Sequence, residues 1–210
     1  MKKLKIDPIT LEVVQNALSS IADELALVIM KSAYSNIVRD SMDYSTAICD
    51  YKGRTIAQGL TNPVHLGSFP HAMRSLISQQ HHNMNEGDIF VFNDPYGSGG
   101  MHLPDFYIVK PVFVKNKIEG YTATLAHQTD VGGIAPGGMG VFSQEIYQEG
   151  LRLPILKLVE KGEANYSIFE IIKKNTRMPT SVLGDINSQI SACRTGEKAF
   201  KELLKIHGNI

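Results

Sequence analysis

The chain has 210 residues, 43% of them hydrophobic and 20% charged, which is enough for one generous domain. Lysine plus arginine and aspartate plus glutamate both number 21, so the net charge is zero. That balance excludes a nucleic-acid binder that relies on phosphate contacts, and it leaves solubility without help from charge, so a partner and an oligomeric state are expected. The two cysteines, Cys49 and Cys193, form no CxxC, which excludes a disulfide scaffold or a cysteine zinc cluster and points to a reducing cytoplasm.

Met1 to Ile6 carries the charge of a signal-peptide start, but Asp7 and Pro8 interrupt any apolar core. Asp7 can cap a helix that continues through Leu11, Val14, Leu18, Ile21, Leu25 and Val28 at spacings of three and four. These apolar positions are spaced rather than continuous, so no membrane span is expected. Ser45 to Cys49 and Arg54 to Gln58 flank a turn with Gly53 in a left-handed position. Phe69 to His82 reads as a helix. Ile89 to Phe92 reads as a strand buried on both faces.

Tyr107 to Val114 and Ile118 to His127 form a second hairpin around Lys115-Asn116-Lys117. Asp130 to Gly150 is glycine-rich and aperiodic, hence a loop, and loops this long in a compact domain usually carry function. Tyr166 to Lys174 is a short helix. A further helix runs from Pro179 to about His207, divided or bent where Gly184 and Gly196 weaken it. The expected fold class is α+β, a single domain over residues 1–210 with a β-rich centre and hairpins flanked by long N- and C-terminal helices.

The densest polar stretch, Asn93 to Asp105, follows the buried strand directly. In it His102 and Asp105 stand three apart across a proline turn, a separation at which an imidazole and a carboxylate can share a divalent cation; from spacing alone the other reading of these residues is hydrogen-bonded loop and strand-end polar groups. His127 ends the next hairpin and opens the glycine loop, completing a set of three protein ligands with positions left for water or substrate. Asp43, just ahead of the first hairpin, is a fourth carboxylate. Asp94 either orients a ligand histidine or forms an Asx turn before Pro95. His65 reads as a hydrogen-bonded structural histidine, and His71, His81 and His82 as surface or capping groups. There is no GxxxxGK[ST], no dinucleotide fingerprint and no GxSxG, so a metal is the best carrier of chemistry.

Together, Asp43-Tyr44-Ser45, Gly53-Arg54, Pro63 to Ser68, Gly87-Asp88, Asn93 to Tyr96, His102 to Asp105, Ala126-His127, Asp130 to Gly133, Pro136 to Met139, Gln148 to Gly150, Asn175 to Arg177 and Gly184-Asp185 resemble the hydantoinase B/oxoprolinase family in order and spacing. The resemblance runs over nearly the whole chain. It implies the metal-bearing part of an ATP-dependent hydrolase of cyclic amides such as hydantoins, 5-oxoproline or related lactams. ATP would be handled by a hydantoinase A-type partner of actin-like fold. The family's metal residues map onto His102, Asp105 and His127, with Asp43 as an added carboxylate and zinc, manganese or iron as the ion. Asp43 and Asp94 are the expected catalytic residues, the first as ligand or base, the second orienting a ligand. Two other readings are a subunit of an acetone- or acetophenone-type carboxylase and a truncated, non-catalytic interaction partner. Many members have a second histidine where this chain has Gln128, and members usually run to over twice this length, so the chain is expected to be part of a longer one.

Overall fold

In the computed structural model, which describes residues 7–59, 61–65 and 67–208, Asp7 accepts the Thr10 N–H at 3.0 Å and starts helix α1, Pro8–Ser32. The charged start, Met1 to Ile6, lies outside the described residues, as does Leu66 of the Pro63 to Ser68 motif. The buried stripe of α1 is Val14, Leu18, Ile21, Leu25 and Ile29. Leu11 is exposed and Val28 only partly buried, because a 3.6-residue repeat carries the stripe onto Ile29. Among the described residues α1 alone is long and apolar enough to cross a bilayer; here its stripe lies against the sheet and the last helix.

A four-residue helix α2, Asn36–Arg39, leads into strands β1, Tyr44–Asp50, and β2, Thr55–Gln58. Gly53 supplies the left-handed turn between the strands, at φ 77°. Helix α3, Phe69–Gln80, precedes β3, Ile89–Phe92, which is buried throughout as expected. Strands β4, Asp105–Val114, and β5, Lys117–His127, form the second hairpin, with Lys115 and Asn116 at positive φ in its turn. Two short strands absent from the expectation follow the glycine loop, β6, Leu156–Glu160, and β7, Glu163–Ala164. Helices α4, Tyr166–Asn175, and α5, Pro179–His207, close the chain.

The seven strands form one antiparallel sheet in the order β2-β1-β5-β4-β3-β6-β7. Its strands alternate sides with period two. Ala47, Tyr107, Tyr121, Ala123 and Leu125 face α3, with Phe69, Ala72, Met73 and Leu76. Thr46, Ile48, Val112, Thr122 and Thr124 face the other way, toward α1 and α5. The buried threonines of that side are satisfied by backbone carbonyls: Thr46 donates to Ala22 O of α1 at 2.8 Å, Thr122 to Cys193 O of α5 at 3.1 Å and Thr124 to Ile108 O of β4 at 3.3 Å. Each large apolar side chain fully buried between these layers contributes about 1.5–3 kcal/mol.

Helix α5 is continuous, not divided at its glycines. A Cβ on Gly196 would stand 2.4 Å from Leu25 Cδ1 and 3.1 Å from Thr122 Cγ2, and one on Gly184 would stand 2.3 Å from the Tyr34 ring. The glycines are places where α1, the chain leaving it and the sheet press against α5. The propensity penalty of about 1 kcal/mol each is offset by that close approach.

Candidate metal centre

Asp105 is the first residue of β4 and His127 the last of β5, and the register places them directly opposite. Odd-numbered positions on both strands face α3, so both side chains emerge on that side. Asp43 precedes β1, and its carbonyl accepts the His127 N–H at 3.0 Å, setting a third side chain beside the first two. The Asp105 N–H donates to His102 O at 3.1 Å and the Gln128 N–H to Pro104 O at 2.8 Å, so the loop carrying His102 is tied down at its end.

The result is a cluster at one end of three strands. His102 Nε2 lies 2.9 Å from Asp105 Oδ1, and His127 Nδ1 lies 3.3 Å from the same oxygen. The two imidazole rings are tilted by 47° with centroids 5.0 Å apart. One ligand atom from each of His102, Asp105 and His127 can be chosen so that all lie within 4.8 Å of one another. Asp105 is 1% exposed, yet neither of its oxygens accepts an aligned hydrogen bond from any described residue. Buried carboxylate oxygens are normally satisfied; here imidazole nitrogens and carboxylate oxygens converge without an aligned hydrogen bond between them, an arrangement a cation can complete.

Burial pushes the Asp105 carboxyl up, but contact with His102 and His127 outweighs it and leaves the group below its ordinary value. The contact with Asp105 raises His102 above the ordinary imidazole value, against the opposing effect of burial. Asp43 is partly exposed; its Oδ2 stands 3.9 Å from His127 Nδ1 and its Oδ1 3.3 Å from His65 Nε2. The other nitrogen of His65 is 3.1 Å from Ser45 Oγ, and burial pushes this imidazole below its ordinary value.

His65 is therefore buried and hydrogen-bonded, as read from the sequence, but it also lines the same pocket. Its pairing with Asp43 depends on a fold that no local pattern announces. Asp94 forms the Asx turn: its Oδ1 accepts the Tyr96 N–H at 3.0 Å, while its carbonyl accepts from Ser98 and Gly100. Gly99, at φ 79°, continues this turn against α3, where a Cβ would stand 2.9 Å from Ala72 N. Asn93, unweighed in the sequence, is fully buried and joins three segments. It donates to Leu103 O at 2.6 Å and Leu151 O at 2.9 Å and accepts from Leu153 N at 2.7 Å. His71, His81 and His82 are exposed. Gln128, one residue past His127, points to the opposite face and donates to Ala126 O and Gln189 Oε1 under α5.

Asp130 anchors the glycine loop. Its carboxylate accepts from Gly132, Gly137, Thr176 and both the backbone and guanidinium of Arg177, at 2.7 to 3.2 Å. These donors overcome burial and hold its carboxyl below the usual range. The cavity over the histidines measures about 430 Å³, within the range of roughly 300–1,000 Å³ for small-molecule sites. A larger hollow of about 680 Å³ lies at the opposite end of β4 and β5, beside Lys115 and Lys205. Among the described residues the one set of side chains close enough to share a metal ion, His102, Asp105 and His127, lines the smaller cavity.

The chain is 37% identical over 203 residues to the caprolactamase subunit beta of Pseudomonas jessenii, covering 97% of this chain and 35% of that protein. It is 30% identical over 204 residues to a 5-oxoprolinase of Dictyostelium discoideum, covering 97% of this chain and 16% of that protein. The crystal structure of the ATP-dependent caprolactamase from Pseudomonas jessenii matches with a TM-score of 0.90 at 36% identity, over 97% of this chain and 35% of that one. The chain thus spans about a third, or less, of the length of these relatives. The family model for hydantoinase B/oxoprolinase matches residues 7–209, and the chain belongs to that family.

Proposed function

We propose that this chain is the metal-bearing portion of an ATP-dependent hydrolase of cyclic amides, with ATP handled by a separate hydantoinase A-type subunit. The observation that carries the reading is Asp105: a buried carboxylate with no aligned donor, approached within 3.3 Å by nitrogens of His102 and His127. These three residues would hold a divalent ion, zinc, manganese or iron, with Asp43 as an added carboxylate. When bound, such an ion supplies Lewis acidity and brings the pKa of a water toward neutrality.

The chain's own residues set the rest. Asp43, partly exposed at the pocket, is placed to accept a proton at Oδ2, and His65, fixed by Ser45, holds its other oxygen. Asp94 acts on His102 at a distance, by shaping the Ser98 to Gly100 turn from which His102 follows. Asn93 fixes the far side of that loop. The glycine loop, pinned at its root by Asp130, borders the pocket through Met139. The resemblance to an ATP-dependent caprolactamase supports the reaction class.

Elemental analysis of the purified chain tests the metal reading. Zinc, manganese or iron near one equivalent is expected, and its loss in His102→Ala and Asp105→Ala. Full occupancy in both variants refutes the assignment. Co-purification with an A-type subunit and product analysis with labelled bicarbonate test the reaction: label in the product would make it a carboxylase instead.

A further inference from the structure

We propose that Glu149 receives the nitrogen released when the amide ring opens, in a second cavity that adjoins the metal pocket. The inference rests on the hydrolase reading above and deepens it by giving the leaving group a residue and a place.

The second cavity measures about 340 Å³. Met101 and His102 line it and also line the metal pocket, so the two hollows share a wall. Beyond that wall stand Tyr96, Ser143, Glu145 and Glu149, with no lysine or arginine among the described residues that line the cavity. Glu145 is exposed, whereas Glu149 is partly buried. The Glu149 carboxylate makes no hydrogen bond or salt bridge with any described residue. Ser143 Oγ is shielded from water and likewise has no partner among them. Contact with Asp105 is the main cause that raises His102, and the nearby Glu149 charge acts in the same direction.

The glycine loop fixes Glu149 in this position. Its N–H donates to Ile146 O at 3.0 Å. A Cβ on Gly133 would stand 2.6 Å from its carbonyl carbon, and one on Gly138 would stand 3.1 Å from its carbonyl oxygen. Both glycines lie at positive φ, so the loop closes on the Glu149 backbone where a side chain would not fit. A carboxylate held this firmly and left without a cation is ready for one from outside. Opening a cyclic amide with water supplies it. The C–N bond breaks, the water oxygen stays on the carbonyl carbon, and both water protons end on the nitrogen. The product therefore carries a carboxylate at one end and an ammonium at the other. The carboxylate remains on the metal-pocket side of His102, while the ammonium passes into the cavity that holds two carboxylates and no cation. Glu149 accepts one of its N–H groups and Ser143 Oγ a second. The ring nitrogen is neutral before cleavage, so this pairing strengthens only as the bond breaks.

Straight-chain acids with and without a terminal amine isolate the ammonium from the rest of the product: 4-aminobutyrate against butyrate, 5-aminopentanoate against pentanoate, and 6-aminohexanoate against hexanoate. The chain loaded with cobalt(II) reports their binding through its visible absorption bands. In at least one pair the amino acid is expected to bind at least about fivefold tighter than the plain acid. Glu149→Gln should bring that ratio to within about twofold of unity while binding the plain acid no more weakly, which shows that the site is still folded. Glu145→Gln should change the ratio less, because an exposed carboxylate pairs weakly. The absence of any such preference in the unaltered chain overturns the proposal. So does a preference that survives Glu149→Gln, or a failure of all six acids to perturb the bands. If cobalt gives no site bands before any acid is added, the metal reading has failed and the proposal falls with it, an outcome distinct from the others.

Discussion

His127 and Gln128 are neighbours in sequence and point to opposite faces of the sheet, so replacing each should damage a different property. His127 Nδ1 is 3.3 Å from Asp105 Oδ1 in the pocket, whereas Gln128 Nε2 reaches Ala126 O at 3.2 Å and Gln189 Oε1 at 3.3 Å beneath α5. His127→Asn removes one of three converging ligand atoms. A fall in metal affinity of at least about 10-fold is expected, since even groups that only support a ligand reach that size. Gln128→Ala removes two buried hydrogen bonds at about 0.5–1.5 kcal/mol each, so the metal-free chain should lose about 1–3 kcal/mol. Its metal affinity should stay within about threefold, because the side chain lies across the sheet from the ligands. Competition titration with a chromogenic chelator measures the first property and urea unfolding of the metal-free chain the second. If Gln128→Ala loses the metal while His127→Asn keeps it, the strand is registered one residue off and every side chain of β5 is assigned to the wrong face.

Metal affinity should fall with pH from a point above the ordinary histidine value of about 6.5. His102 is raised by Asp105 and must shed its proton to bind, while Asp105, being lowered, stays ionised; an affinity unchanged from about pH 8 to pH 5 would contradict this. Asp130→Asn should lower stability at neutral pH by about 1–3 kcal/mol. The folded-state pKa of Asp130 is depressed, so its contribution is present above the unfolded value of about 3.9 and disappears as pH falls through the folded one. The variant's urea midpoint should therefore converge with that of the unaltered chain in strong acid. Gly196→Val should cost about 1–3 kcal/mol by overpacking against Leu25 and Thr122, and a midpoint at or above that of the unaltered chain would show that α1 and α5 are not pressed together there.

The parts of the fold legible in the sequence are those with a strong local period. The stripe of α1, the run Ile89 to Phe92 and the turn at Lys115 and Asn116 each carry their own signal. β6 and β7 carry almost none, being five and two residues long at the edge of the sheet. Gly184 and Gly196 mislead in isolation, because what decides them is α1, its following chain and the sheet pressing on α5 from elsewhere in the sequence. The site divides the same way. His102 and Asp105 are legible from spacing, and His127 from its position at a strand end. Asp43 is visible as a candidate, but its closeness to His65 and His127 follows from the pairing of β1 with β5 and from the turn that carries His65. Asn93 belongs to a motif, yet nothing local shows that it would hold Leu103, Leu151 and Leu153 at once.

The pairing of Asp105 with His127 also bears on how the centre assembles. β4 and β5 are joined by a tight turn at Lys115 and Asn116, so zipping that hairpin brings these two side chains together with little loop-closure entropy. Asp43 arrives only when β1 docks on the far side of β5, where Tyr44 pairs with Ala126. That step closes a far longer stretch of chain and belongs to the slow, non-local part of folding. The centre thus has an early half and a late half, and an ion captured by the early half would favour the hairpin before β1 is in place.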